Sequence, residues 1–369
     1  MTPRPRPLGV LAAGLALAAT GGCLPSGLVT TSEPADPSRV QVRFLGVGGF
    51  AIRRGPDVVM TAPLYSSPSP LDFGHDVEPN RAVLDQYFAR HELAREMADL
   101  RAILVGHGHY DHLMDVPYFL DKAPGARVYG SLTTRRILAG YGGDTASRVV
   151  ALNGSEDSYA DFTHCFSPGL PGCEISPGAP GRWMDVAGTE GRVRVLALCS
   201  CHPPQVLHAI KFWPGCQAAD LPRPPRRVED YVEGEVFAYL VDFMENGRPA
   251  FRVYYQDAPV ARPMGWVREE VIAERPVDLA LLCVGNFDAV DRPEEIVFAN
   301  LRAEQVVLHH WEDFFDPEHR RLAPIPGCDV EGFRDAVVRE AGGDPARVHL
   351  LAPGVLLNFP RPPHLSSPT

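Results

Sequence analysis

From Val105 to Pro117 the chain reads VGHGHYDHLMDVP, so His107, His109, Asp111 and His112 fall on one short loop. Imidazoles and a carboxylate crowded together in this way are candidate metal ligands. In a segment leaving a strand, residues two apart face the same way, so His107 and His109 can converge on one ion. Asp111 and His112 are adjacent and diverge, and the turn can deliver both to a second ion nearby. Two ions roughly 3.5–4 Å apart can share a hydroxide, because water there ionises near a pKa of about 7. That arrangement provides a nucleophile at neutral pH without an activated serine or cysteine. Histidine suits zinc, and a mixed histidine and carboxylate set also admits iron or manganese.

Such a loop needs rigid support. Ala102-Ile103-Leu104-Val105 predicts a buried strand, with the histidine loop at its C-terminal end. Upstream, VQVRFL (40–45), FAIRR (50–54) and DVVMTA (57–62) predict strands separated by the turn signals GVGG and GPD. The stretch PNRAVLDQYFARHELAREMADL from Pro79 predicts one helix with Val83, Leu84, Tyr87, Phe88, Leu93 and Met97 on its apolar face. LMDVPYFLDKA begins a helix, ARVYG is a strand, and SLTTRRILAGYG is a helix capped by Ser131. Residues 153–190 are rich in Gly, Pro and Ser and predict a loop insertion bordering the cleft, where loops set specificity. Strands resume at RVRVLAL (192–198), EVFAYLVDF (235–243), FRVYYQD (251–257), PVDLALLCVG (276–285) and EQVVLHH (304–310), with a helix-like PEEIVFANLRA between the last two. EGFRDAVVREAG predicts the last helix, RVHLLAPG the last strand, and residues 359–369 a disordered tail. This order predicts an α/β protein in which two sheets pack together with helices outside.

HxHxDH on a loop after a buried strand resembles the signature of the metallo-β-lactamase superfamily, and GVGGF near Gly46 is similar to its opening hairpin. The resemblance implies a four-layer αββα sandwich over residues 39–358, two packed mixed sheets flanked by helices, and a cleft for two divalent ions, foremost Zn2+. It also implies three further ligands: a histidine, a bridging aspartate and a last histidine. His202 directly follows the strand RVRVLAL and its CSC extension, a better context than those of His164 or His208. Asp257 ends FRVYYQD, with Gln256 before it where family members usually have Gly. VVLHHW offers His309 and His310, which point to opposite faces in a strand. The His-Trp step is similar to the ending found in the branch of ascorbate phosphate lactonases and N-acyl-phosphatidylethanolamine phospholipases, and selects His310. Thr61-Ala62-Pro63 stands where family members often carry Asp-Pro. The implied activity is hydrolysis of an ester-type bond, phosphodiester, phospholipid or lactone, by the bridging hydroxide. Asp111 would orient the nucleophile or accept its proton. Lys211, Arg223, Arg226 and Arg227 are candidates to receive an anionic part of a small-molecule or lipid-like substrate.

Composition narrows the partners. With 35 Lys and Arg against 46 Asp and Glu, the formal charge of −11 argues against nucleic acid. Arg4 and Arg6 precede an apolar run too short for a comfortable membrane span, and Gly21-Gly22-Cys23 follows. Residues 1–22 therefore predict a signal peptide, Cys23 a lipidation site, and 23–38 a flexible tether. The expected location is a membrane anchor facing the periplasm or cell exterior, with a soluble periplasmic protein as the alternative. Seven cysteines remain after Cys23, and in an oxidising compartment some should pair. Cys165 could close a small loop with Cys173, and Cys216 could meet Cys199 or Cys201. An odd count leaves at least one thiol unpaired within the chain. Two rival classes are a non-catalytic metal-binding envelope lipoprotein of the same fold and a di-iron redox protein.

Overall fold

The computed structural model describes residues 24–61, 63–68, 75–154, 158–165, 173–206, 208–315 and 322–360. The expected signal peptide, Cys23, and residues 361–369 of the expected tail lie outside them. In chain order the strands are β1 (Leu28–Val29), β2 (Val40–Gly46), β3 (Gly49–Arg54), β4 (Asp57–Thr61), β5 (Leu100–Leu104), β6 (Arg127–Gly130), β7 (Val149–Ala151) and β8 (Met184–Asp185). The second half adds β9 (Val193–Cys199), β10 (Phe237–Glu245), β11 (Arg248–Gln256), β12 (Leu279–Cys283), β13 (Gln305–His309), β14 (Val348–Leu351) and β15 (Leu356–Phe359). One sheet has the order β15-β2-β3-β4-β5-β6-β7 and the other β1-β14-β13-β12-β11-β10-β9-β8. Both are mixed: antiparallel pairs join β15 through β4, and β8 through β11, while the remaining neighbours are parallel.

Near-continuous Val, Ile and Leu runs mark strands covered on both faces. β12 is LALLC, buried at every position. Phe44, Phe50 and Ile52 of one sheet share a core with Leu240, Tyr255 and Leu281 of the other. Outside the first sheet lie α1 (Arg81–Arg90), α2 (Ala94–Asp99), α3 (Tyr110–Leu113), α4 (Val116–Lys122) and α5 (Leu132–Leu138). Their Leu84, Met97, Phe119 and Ile137 form a second core with Val58, Met60 and Ile103. Against the other sheet pack α6 (Glu269–Glu274), α7 (Ile296–Ala299) and α8 (Val330–Glu340), through Ile272, Ile296 and Val337 among others. The layers are therefore αββα.

Several expectations need correction. The single helix expected from Pro79 is two, α1 and α2. Glu92 adopts φ 52°, and Leu93 N–H donates to Phe88 O while Glu92 N–H donates to Ala89 O, a helix-ending motif usually built on glycine. The chain does not finish its sheets at β14: β15 pairs antiparallel with β2, so Phe359, expected in the tail, is fully buried. Residues 24–38, read as a tether, lie along the fold. Leu28 and Val29 pair with Leu350 and Leu351, Glu33 N–H donates to Leu356 O, and Asp36 N–H donates to Asn358 Oδ1. The expected insertion packs on β9, where Asp161 N–H donates to Ala197 O and Cys199 N–H donates to Asp161 O.

The cysteines also pair differently. Cys165 bonds Cys199, and Cys173 bonds Cys216. Loop length suggested Cys165 to Cys173, but docking of the insertion on β9 sets Cys165 beside Cys199, with Cα atoms 5.8 Å apart. Cys201, Cys283 and Cys328 are free thiols.

Candidate metal centre

Strand direction assembles this site. β9 and β11 are both antiparallel to β10, and β11, β12 and β13 are parallel. The C-terminal ends of β9, β11 and β13 therefore meet at one edge, and each is followed by a candidate ligand: His202, Asp257 and His310. From the facing sheet, β5 ends at Leu104 and releases the loop carrying His107 and His109. α3 begins at Tyr110, and successive helical positions diverge by about 100°, which separates Asp111 from His112.

All seven predicted residues come together. The ring centroids of His107, His109 and His202 are 4.7–5.0 Å apart. Their ligand nitrogens lie within 4.8 Å of one another, and the ligand atoms of His107, Asp111 and His112, two imidazole nitrogens and a carboxylate oxygen, do likewise. Asp257 bridges the halves, with Oδ2 2.8 Å from His107 Nδ1 and Oδ1 2.8 Å from His112 Nδ1, the latter off the line of a hydrogen bond. Asp111 Oδ2 is 3.2 Å from His112 Nε2 and 3.3 Å from His310 Nε2. His107 Nε2 is buried and has no hydrogen-bond partner among the described residues. A buried imidazole nitrogen without a partner, among histidines and carboxylates, suits a cation.

The outward-turned nitrogens are anchored. His202 Nδ1 donates to Pro203 O at 2.7 Å, and His109 Nε2 donates to Phe212 O at 3.2 Å, which leaves the opposite nitrogen of each ring for a metal. The Tyr255 hydroxyl donates to Asp257 Oδ1. Thr61, at the end of β4, donates its hydroxyl to Gly48 O and accepts from Phe50 N–H at 2.8 Å. His309 stays in the core, stacked on Tyr255, with Nε2 3.1 Å from Gln256 O. Tyr255, Thr61 and Glu312 carry no motif and were missed by sequence reasoning; only their places beside predicted ligands could have drawn notice.

Electrostatics favour cation uptake. Burial, reinforced by His107, pushes His109 down to about 3, and burial drives His202 well below its ordinary range. Both are neutral at pH 7 with a lone pair to offer. Burial opposes a charge on His112, but Asp257 and Asp111 outweigh it and raise the imidazole to about 10. Burial likewise opposes ionisation of Asp111 and Asp257, yet the adjacent imidazoles, His112 foremost, hold both well below the usual carboxylate range. His112 would have to give up its proton to hold a cation, so uptake is expected to strengthen as pH rises.

The basic candidates divide. Lys211 lies at the rim next to Phe212, its Nζ 3.1 Å from Glu233 Oε1. Arg223, Arg226 and Arg227 are exposed; Arg226 Nε is 3.8 Å from Asp76 and Arg227 Nη1 is 3.4 Å from Glu229. Arg226 and Arg227 thus each have an acid within 4 Å. Burial raises the Glu233 carboxyl and Lys211 opposes that. In Lys211→Met the carboxylate loses its partner, so we expect a loss of about 1–2 kcal/mol at pH 7. Glu233 has a raised folded pKa, so its charged form carries the cost: the deficit vanishes below the ordinary value of 4.5 and grows as pH rises. Melting temperatures from pH 4 to 8 test this; a pH-independent deficit would refute it.

Residues 71–206 match the family model described as "Metallo-beta-lactamase superfamily", a span that holds the histidine loop and His202 but neither Asp257 nor His310. No curated protein matches the chain. Among solved structures it is similar to Igni18, a metallo hydrolase of Ignicoccus hospitalis, at 14% identity and TM-score 0.48, covering 88% of this chain and 99% of that one. It is also similar to the metallo-beta-lactamase fold protein YhfI of Bacillus subtilis, at 13% identity and TM-score 0.44, covering 87% and 100%. Unliganded yeast PDE1 is similar at 11% identity and TM-score 0.42, covering 87% and 99%. The family match covers residues 71–206 of a chain folded as an αββα sandwich.

Proposed function

We propose that the protein is a metal-dependent hydrolase of an ester-type bond: a phosphodiester, phospholipid or lactone. The reading rests on one observation: His107 stands in two clusters of ligand atoms, one with His109 and His202 and one with Asp111 and His112, and its buried Nε2 has no hydrogen-bond partner among the described residues. His107, His109 and His202 would hold one divalent ion, and Asp111, His112 and His310 a second, with Asp257 between them. When bound, the ions supply an acidified water as nucleophile and positive charge for the developing oxyanion. Asp111 would orient that water or accept its proton.

The rim supports a substrate with an apolar part. Ile210 and Phe212 are 39% and 37% exposed, and Trp213 stands 6.1 Å from the His109 ring. A leader over residues 1–22 and a lipid on Cys23 would place this rim near a membrane. No described helix is long and apolar enough to cross one.

Chelation followed by refilling tests the function. Turnover of bis-p-nitrophenyl phosphate, a lactone or a short-chain ester should fall more than about 100-fold on metal removal and return with Zn2+, Mn2+ or Fe2+. Metal uptake should strengthen from pH 6 to 8. Metal-replete protein that turns over nothing in this panel would defeat the hydrolase reading.

A further inference from the structure

The turn between β2 and β3 forms the floor of the metal centre, and it is strained. Val47, a β-branched residue 1% exposed, adopts φ 51°, a left-handed conformation that such side chains rarely take. Gly48 follows, packed so closely that a Cβ there would lie 3.0 Å from His112 Nδ1 and 3.1 Å from Asp257 Oδ1. Any relaxation of Val47 therefore moves the backbone that fixes two candidate ligands.

Three contacts oppose that relaxation. Val47 O accepts from the backbone N–H of His310 at 2.9 Å and lies 3.2 Å from His309 Nδ1. His310 is itself left-handed, at φ 57°, so two strained residues face each other across this bond. The third contact is to Glu312, 3% exposed, whose Oε1 accepts the Val47 N–H. Pairing of β2 with β3 shifts register between Phe44 and Gly46, which disrupts the ladder just before Val47. Burying a carboxylate is costly, and a strained turn gives this one a use.

The geometry points to Glu312 as a positioning residue: it clamps the Val47 amide, holds the turn in its left-handed form, and so sets Asp257, His112 and His310 for metal. This inference rests on the proposed metal centre. It assigns Glu312 no contact with metal or substrate.

The test is Co2+ titration against a competing chelator, with the cobalt absorption spectrum and far-UV circular dichroism recorded for each variant. Wild-type affinity tests the metal centre itself; if wild type takes up no cobalt, the metal-centre reading fails. With wild type binding, E312A should weaken cobalt affinity about 10–100-fold and shift the spectrum. E312Q keeps an oxygen acceptor for the Val47 N–H and should stay within about three-fold of wild type. In E312A/V47G the glycine takes positive φ without penalty, so affinity should recover relative to E312A. Should E312A not fold, Glu312→Met, closer in volume, takes its place with the same expectations. The inference is overturned if the truncated variant binds cobalt like wild type, if E312Q is as weak as E312A, or if V47G restores nothing.

Discussion

Replacing Asp257 by alanine is expected to cost about 10³-fold in turnover and to leave the protein short of metal. The side chain is 1% exposed and sits between the halves of the site, one oxygen toward His107 and the other toward His112. Two consequences follow from its removal. The fixed negative charge that would lie between two cations disappears, so their mutual repulsion is no longer offset. His112 also loses the foremost of the groups that raise it to about 10, and Tyr255 loses its acceptor. Asp257→Asn keeps the volume and one carbonyl oxygen but not the charge, so it should retain more metal than alanine while remaining strongly impaired. Elemental analysis and turnover measured on the same preparations check this. Full metal content and near-normal rates in Asp257→Ala would remove the bridging role.

Much of this arrangement is legible in sequence because its ligands end strand-like runs or share one short loop. Alternation along FRVYYQD places Asp257 at a strand end; β13 closes at His309 and His310 turns off it at φ 57°, so the two rings part at the strand end rather than across the pleat. HGHYDH is legible because its side chains are local to one loop. What stays hidden depends on contacts between distant segments. Nothing in the spacing of Cys165 and Cys173 signals that docking of 158–165 on β9 will give them other partners. The break at Glu92 stays hidden because a glutamate occupies the left-handed position where glycine would have announced the helix end. The ion pair of Arg226 with Asp76 is hidden in the same way, because the two lie far apart in the chain. Glu312 is invisible for the same reason, since Val47 lies 265 positions earlier.

Gly106→Ala, a single added methyl group, should be nearly as damaging as losing a ligand. Gly106 connects β5 to the histidine loop, and a Cβ built there would lie 2.2 Å from both Cβ and Oδ2 of Asp257. That is far inside van der Waals contact, and neither neighbour can yield cheaply. Asp257 is held by His107, His112 and Tyr255, while Gly106 O accepts from Phe237 N–H at 2.8 Å, which ties the loop to β10. The methyl group must therefore push the carboxylate away from His107 or pull the loop off β10, and either motion separates the two halves of the centre. Overpacking of this kind costs about 1–3 kcal/mol in stability. The larger effect falls on the site, where a displacement of about 1 Å is worth roughly 10²-fold in rate. Gly125→Ala is the matched control, because among the described residues its Cβ would meet only Arg101 Nη1, at 3.1 Å, the far end of a flexible side chain held by two long hydrogen bonds. Turnover, metal content and melting temperature should separate the pair: Gly106→Ala low in the first two and modestly lowered in the third, Gly125→Ala close to wild type in all. Equal behaviour of the two variants would mean that Gly106 and Asp257 are not in the contact on which the proposed centre depends.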